Sequence, residues 1–174
     1  MSNQATRICP IAPDRATDLA LLSRQTFTEA FAAVNEEKYM SAYMDVAYAP
    51  EQLSRELANP HSRFFFACEG ERPVGYLKIN FGEAQSDIRD PEAMEIERIY
   101  VLKAYHGKGV GQLLMDVAMT EAAIAGVRYV WLGVWEYNPL AQRFYRRNGF
   151  EVFGEHVFWL GEDKQTDILM RRDL

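Results

Sequence analysis

The stretch from Tyr105 to Leu114, "YHGKGVGQLL", sets Gly107, Gly109 and Gly111 at alternate positions between a strand-like segment and an apolar helical one. No other feature constrains the fold as much. The first N–H groups of a helix have no acceptor within it and carry the positive end of its dipole, so a strand feeding such a turn builds an anion site. Glycines let that backbone approach a ligand closely and adopt conformations a side chain would block. Lys108 adds a mobile positive charge. Two familiar phosphate loops do not fit. A P-loop places Lys after its last glycine and a hydroxyl next, whereas here Lys108 precedes Gly109. A dinucleotide fingerprint spaces its glycines differently and follows alternating strand and helix units.

The rest of the pattern is arranged around this turn. Residues 12–34 space Leu19, Leu22, Phe27, Phe31 and Val34 near a helical period, with Asp14 as the expected N-cap. Two shorter helices follow, "EEKYMSAYMDVAY" and "PEQLSRELANP". Beyond Pro60 the texture turns to strands. "RFFFACE" and "PVGYLKINF" form a hairpin whose loop holds Gly70 and Pro73. "AMEIERIYVLK" then leads to the turn, with Glu95, Glu97, Ile99 and Val101 predicted on one face and Ile96, Arg98 and Tyr100 on the other. After the turn come a helix ended by Gly126, the strand "RYVWLGVW", a helix capped by Asn138 with Pro139 at its first position, and two final strands. This order predicts an α/β fold around one sheet.

A chain of 174 residues, 48% hydrophobic, closes one core, and residues 1–174 are expected to form a single domain. No run reaches the roughly 18 apolar residues of a membrane span, and the N-terminus lacks a basic start followed by an apolar stretch. A cytoplasmic protein is therefore expected. Cys9 and Cys68 show no metal-ligand spacing and only three histidines accompany them, so no metal is expected. The net charge of -6 argues against a nucleic-acid partner and suits a cationic small molecule.

"IERIYVLKAYHGKGVGQLL", together with the pattern N-x-x-A-x-x-F-Y-x-x-x-G-F from Asn138 to Phe150, resembles the GCN5-related N-acetyltransferase family. That family's Gln/Arg-x-x-Gly-x-Gly/Ala turn matches His106 to Gly111, with His106 in the place of Gln or Arg. "MEIERIYV", "YVWLGVWEYNPLAQRFYRRNGF" and the ending "GEDKQTDILMRRDL" further resemble the bacterial PaiA-type spermidine/spermine N-acetyltransferases, over nearly the whole chain. The resemblance implies a single mixed, mostly antiparallel sheet flanked by helices, its central strands splayed to hold acetyl-CoA. It also implies direct acetyl transfer in a ternary complex to a primary amine, with spermidine or spermine as the leading acceptor. A peptide, a protein amine, another small amine, or a regulatory module that binds CoA without turnover remain open.

An amine attacks a thioester only when neutral, and an alkylammonium loses its proton near ~10.4, so a base must be in reach. Glu97 is the expected base and Glu95 the reserve. By the resemblance, the backbone of Ile99, Tyr100 and Val101 pairs with the pantetheine arm. His106, Gly107, Lys108, Gly109, Val110, Gly111 and Gln112 hold the pyrophosphate, Asn138 touches the cofactor, and Tyr145 protonates the leaving sulfur. Arg146 and Arg147 are candidates for the 3′-phosphate. Glu36, Glu37, Asp87 and Asp90, with Tyr39, Tyr43 and Trp135, are candidates for the acceptor cleft. The final strands, with "FGEHVFW", are a candidate homodimer edge.

Overall fold

The computed structural model describes residues 5–174; the first four positions, part of the expected domain and of the segment inspected for a leader, lie outside the described residues. A strand β1 (Thr6–Pro10) is followed by a 3-10 turn and helices α1 (Ala16–Phe31), α2 (Glu37–Ala47) and α3 (Pro50–Ala58). Strands β2 (Ser62–Glu69), β3 (Arg72–Phe81) and β4 (Ala93–Val101) come next, then α4 (Val110–Ala125), β5 (Tyr129–Trp135), α5 (Pro139–Arg147), β6 (Glu151–Leu160) and β7 (Asp163–Asp173). The seven strands form one sheet in the order β1-β2-β3-β4-β5-β7-β6. Every neighbouring pair is antiparallel except β4 and β5. No helix among the described residues is long and apolar enough to cross a membrane.

Helices cover both faces. Tyr76 stacks on Tyr100 beneath α1, whose Phe31 meets Tyr100 edge-on. Gly75, one residue away and therefore on the opposite face, looks at Val101 and at Leu114 of α4. The α1 stripe is Leu19, Ala20, Leu22, Ser23, Thr26 and Phe27, all buried, at the spacing one helical face requires. Gly126 ends α4 in a left-handed conformation that serves as its C-cap. Asn138 caps α5, its side chain accepting from the N–H of Ala141 at 3.2 Å.

Several expectations need correction. Asp14 is not a cap: it lies inside the 3-10 turn Pro13–Arg15, and α1 starts from Arg15 without a side-chain cap. Helix α1 stops at Phe31, leaving Val34 outside and exposed. β1 was absent from the pattern because it is a five-residue edge strand ending in Pro10. Pro73 belongs to β3, where it faces Cys68, and only Gly70 and Glu71 make the turn.

The largest correction concerns β4. Its register with β3 slips between Lys78 and Ile79: Lys78 faces Arg98, Ile79 faces Ile96, and Glu97 has no partner. This is a bulge, an extra residue that turns two successive side chains toward one face. The amide of Asn80 therefore donates to both Glu95 and Glu97, while neighbouring Arg98 reaches Glu56 of α3. Glu95, Glu97, Arg98 and Tyr100 share the α1–α3 face; Ile96, Ile99 and Val101 take the other.

Gly75 sets the fit between β3 and β4. A Cβ there would lie 2.9 Å from the carbonyl oxygen of Tyr100 and 3.2 Å from a methyl of Val101, and the first contact is backbone that cannot rotate away. Gly75→Ala is expected to destabilise the fold by about 1–3 kcal/mol, read as a lower urea midpoint at unchanged slope. An unchanged midpoint would show that β4 is less firmly fixed than this packing requires.

Candidate functional site

β4 and β5 share only the pairs Ala93 with Tyr129, Met94 with Val130 and Glu95 with Trp131. Beyond Glu95 the two strands part, and β5 runs on alone to Trp135 against β7. On its β5 side, β4 from Ile96 to Val101 thus borders a cleft within the sheet. Ile99, Tyr100 and Val101 line this border; their side chains pack against the core, so what they offer the cleft is backbone.

Where β4 ends, the glycine turn begins. Gly107 and Gly109 have φ of +74° and +80°, left-handed values that side chains rarely adopt. Gly109 is the N-cap of α4 and supplies no side-chain acceptor. A Cβ at either glycine would meet nothing within 4 Å, so these glycines are there for backbone conformation and open access. The opening amides of α4, from Val110 to Gln112, have no acceptor within the helix and no side-chain cap, the arrangement in which helix N-termini bind anions.

Two members of this set contribute differently from expectation. A ring nitrogen of His106, Nε2, lies 2.8 Å from the carbonyl oxygen of Val101; a carbonyl only accepts, so Nε2 carries the hydrogen. His106 therefore fastens the strand exit to the turn. The side chain of Gln112 donates to Asp116 and to Asn148 beyond α5, which leaves its backbone N–H for an anion. Lys108 extends over the Tyr105 ring, 4.8 Å from its centre. Arg146 and Arg147 are exposed on α5.

Tyr145 is buried, its ring set between Phe144 and Phe150. Burial raises its phenol well above the ordinary tyrosine value, so it stays protonated and able to donate. Asn138 is occupied as a helix cap, and Gln142 in the next turn donates to the carbonyls of Trp135 and Glu136 at the end of β5.

The β4 carboxylates sit in contrasting surroundings. Glu97 is ion-paired with Lys78 and lies 3.6 Å from Arg98, and both cations also reach Glu56, at 3.0 and 2.9 Å. Burial alone would raise the Glu97 carboxyl, but Arg98 and Lys78 outweigh it and hold the group below the usual carboxylate range. Glu95 is buried and accepts from Ser86 N–H, Ser86 hydroxyl and Asn80. Burial and then the charge of Glu97 raise its carboxyl, against those hydrogen bonds. Glu97 is held toward its ionised form, and Glu95 accepts three hydrogen bonds.

A third carboxylate was not anticipated. Asp167 of β7 stands opposite both Trp135 of β5 and His156 of β6. One of its oxygens lies 3.5 Å from where a Cβ on Gly133 would be, so the missing side chain there makes room for it. Burial raises the Asp167 carboxyl, and His156 is the opposing influence. His156 Nε2 is 3.9 Å from Asp167, and its Nδ1 is 3.1 Å from Asp87. The signal in the sequence was the two-residue turn Gly161–Glu162: counting back from it pairs His156 with Asp167.

Among the other acceptor candidates, Tyr43 stacks on Phe27 and meets Phe158 edge-on. The phenol of Tyr43 is raised, chiefly by burial, with Glu97 and Asp167 among the charges acting on it. Tyr39 is committed to the β6–β7 turn, donating to Glu162. Asp90 accepts from Tyr129, and Glu36 pairs with Lys38; Glu37 is exposed. Trp135 lines a hollow of about 410 Å³ with Val34, Glu136, Tyr137, Asp163 and Lys164, and its indole N–H is buried without a partner. No group of three or more His, Cys, Asp or Glu among the described residues could hold a metal.

Comparison with known proteins agrees with this architecture. The crystal structure of a PaiA N-acetyltransferase from Thermoplasma acidophilum in complex with coenzyme A superposes with a TM-score of 0.81 at 20% identity, covering 98% of this chain and 99% of that one. An uncharacterised N-acetyltransferase of Lactobacillus delbrueckii subsp. lactis is 34% identical over 168 residues, 97% of each chain. The N-alpha-acetyltransferase RimI of Mycobacterium tuberculosis is 32% identical over 129 residues, 74% of this chain and 77% of that one. The model of the acetyltransferase (GNAT) family matches residues 25–150, and with these relatives it shows that the chain belongs to that family.

Proposed function

We propose that this protein transfers the acetyl group of acetyl-CoA directly to a primary amine, and that the amine is a polyamine such as spermidine or spermine. The parting of β4 from β5 immediately before the glycine turn carries the reading. It offers an unpaired strand edge to the amide arm of a CoA thioester and, where that edge ends, helix N–H groups to its pyrophosphate. The Thermoplasma neighbour, whose structure holds coenzyme A, supports that choice of donor.

In this reading the amides of Val110, Gly111 and Gln112 bind the pyrophosphate, and the backbone of Ile99 to Val101 orients the thioester. Backbone N–H groups fixed in a partly dry cleft stabilise oxygen charge that appears only in the transition state. Tyr145, kept protonated by burial, donates to the sulfur as it leaves. Glu97 serves as a wall of the cleft: with Glu56 it balances Lys78 and Arg98, two acids against two bases. The expected base role at Glu97 does not suit a carboxylate so firmly held in its ionised form.

The polyamine choice rests on the acceptor side. Among the described residues, His156 is the one basic side chain that pairs with Asp167 and Asp87. Farther along β5, the hollow beside Trp135 sets the carboxylates of Glu136 and Asp163 and the rings of Trp135 and Tyr137 against the single cation Lys164, a lining whose acids and aromatic faces suit a second ammonium on a long acceptor. Transfer to a protein N-terminus is a second reading, favoured by the relative named N-alpha-acetyltransferase.

Thiol release from acetyl-CoA, measured in parallel with spermidine, spermine, a lysine peptide, a free N-terminal peptide and an aminoglycoside, is expected with the polyamines alone. Turnover only with a peptide would replace the acceptor, and acetyl-CoA binding without any turnover would replace the enzyme with a regulatory module. Tyr145→Phe is expected to lower kcat by about 10²-fold with KM for acetyl-CoA unchanged; a matching rise in KM would mark Tyr145 as a packing residue.

A further inference from the structure

We infer that Asp167 of β7, backed by His156 and Asp87, is the group that takes the proton from the acceptor ammonium. The inference rests on the reading of the cleft as a site of acetyl transfer to an amine. Its first warrant is position. Asp167 lies against Gly133 and opposite Trp135, on the part of β5 that runs on beyond its last pair with β4. Its side chain keeps 23% of its surface exposed, so it is sheltered yet reachable.

The second warrant is what surrounds it. From β6 the facing charged group is His156; behind that ring, from the segment between β3 and β4, comes Asp87. From α2 comes the phenol of Tyr43, on which the charge of Glu97 also acts. From β5, Gly133 and Trp135 bring no charge. The two carboxylates on β4 differ: one is balanced by Lys78 and Arg98, the other accepts three hydrogen bonds from Ser86 and Asn80. Carboxylates whose environments push their proton affinities apart divide the acid and base work between them. Burial raises both Glu95 and Asp167, but Glu95 is engaged by Ser86 and Asn80, whereas His156 is the group that opposes the rise at Asp167.

The third warrant is an exit. The His156 ring stands between the two carboxylates, Nδ1 3.1 Å from Asp87 and Nε2 3.9 Å from Asp167, a gap that a small rotation of either side chain closes. Two protons leave the amine nitrogen as its bond to the acetyl carbon forms and the carbon–sulfur bond breaks. The first passes from the ammonium to Asp167, then to His156 and, through exposed Asp87, to solvent. Tyr145 gives its phenol proton to the leaving CoA sulfur, and the second proton from nitrogen restores the phenol. No oxidant or further reactant is needed.

The test is the pH dependence of thiol release at saturating acetyl-CoA, with the amine that the wild type uses. A wild-type enzyme with a bound base reaches a plateau below the pKa of the free amine. Asp167→Asn is expected to lose about 10²-fold or more at pH 7 and to lose the plateau, the rate climbing tenfold per pH unit toward the amine's own value of ~10.4. His156→Gln, which leaves the carboxylate in place, is expected to move the acid limb to higher pH, because protonated His156 lowers the Asp167 carboxyl. Glu97→Gln is expected to keep the plateau. A plateau retained in Asp167→Asn, an unmoved limb in His156→Gln, or a plateau lost in Glu97→Gln instead would each overturn the assignment. A wild type that releases no thiol with any amine overturns the transfer reading itself, a separate result from a wild type that turns over without needing Asp167.

Discussion

Two parallel strands that stop pairing after three residues set the terms for the whole structure. β4 and β5 must be joined by a crossover rather than a hairpin, and that crossover is the glycine turn with α4. Because the pairing ends at Glu95 and Trp131, the rest of the β4 edge keeps backbone donors and acceptors that sheet formation would ordinarily use. Such groups need partners in a folded protein. The cleft therefore suits an extended ligand with amides of its own, and the turn that follows directly suits an anion at the ligand's far end. Arm and anchor come from one continuous segment, Ile96 to Gln112.

A strand left open on one edge has to be held on the other, and the bulge at Glu97 does so. By turning Glu97 and Arg98 to the same face, it brings them to Lys78 on β3 and Glu56 on α3. Arg98 also lies over the Tyr48 ring at 5.3 Å. A buried ion network of this kind is weak evidence for stability, since desolvation offsets its attraction, but it leaves few alternative arrangements for its members. Its balance of charge has a second effect. With Glu56 and Glu97 matched to Lys78 and Arg98, the charge of Glu97 is largely spent within the network rather than on an incoming cation.

These features were not equally legible in the sequence. The glycine turn, the Asn138 cap and the glycine that ends α4 follow from local backbone requirements, and local requirements leave their mark on neighbouring residues. The mixed order of helices and strands followed from periodicity in the same way. β1 left little trace because five residues at a sheet edge bury too few side chains to show alternation. The bulge left none: "EIERIYV" alternates as an ordinary strand does, and only its pairing with β3 shows the extra residue. The pair His156 and Asp167 lay between these extremes, visible to a count of register from Gly161 but carrying no motif of its own.

The same distinction bears on where proton chemistry sits. Glu95, Glu97 and Asp167 are chemically near-identical, and strand periodicity draws attention to the first two because they precede the glycine turn. What separates them is the company each keeps: hydrogen bonds for Glu95, cations for Glu97, and for Asp167 burial with a single histidine. Asp167 alone of the three combines a raised proton affinity with a partly exposed side chain and no hydrogen bond to its carboxylate among the described residues. In the proposed reading, a base on β7 also separates two demands that would conflict on β4, the strand assigned to orient the donor thioester. On the opposite wall a carboxylate can gain and lose a proton with each turnover without disturbing the ion network that keeps β4 in place.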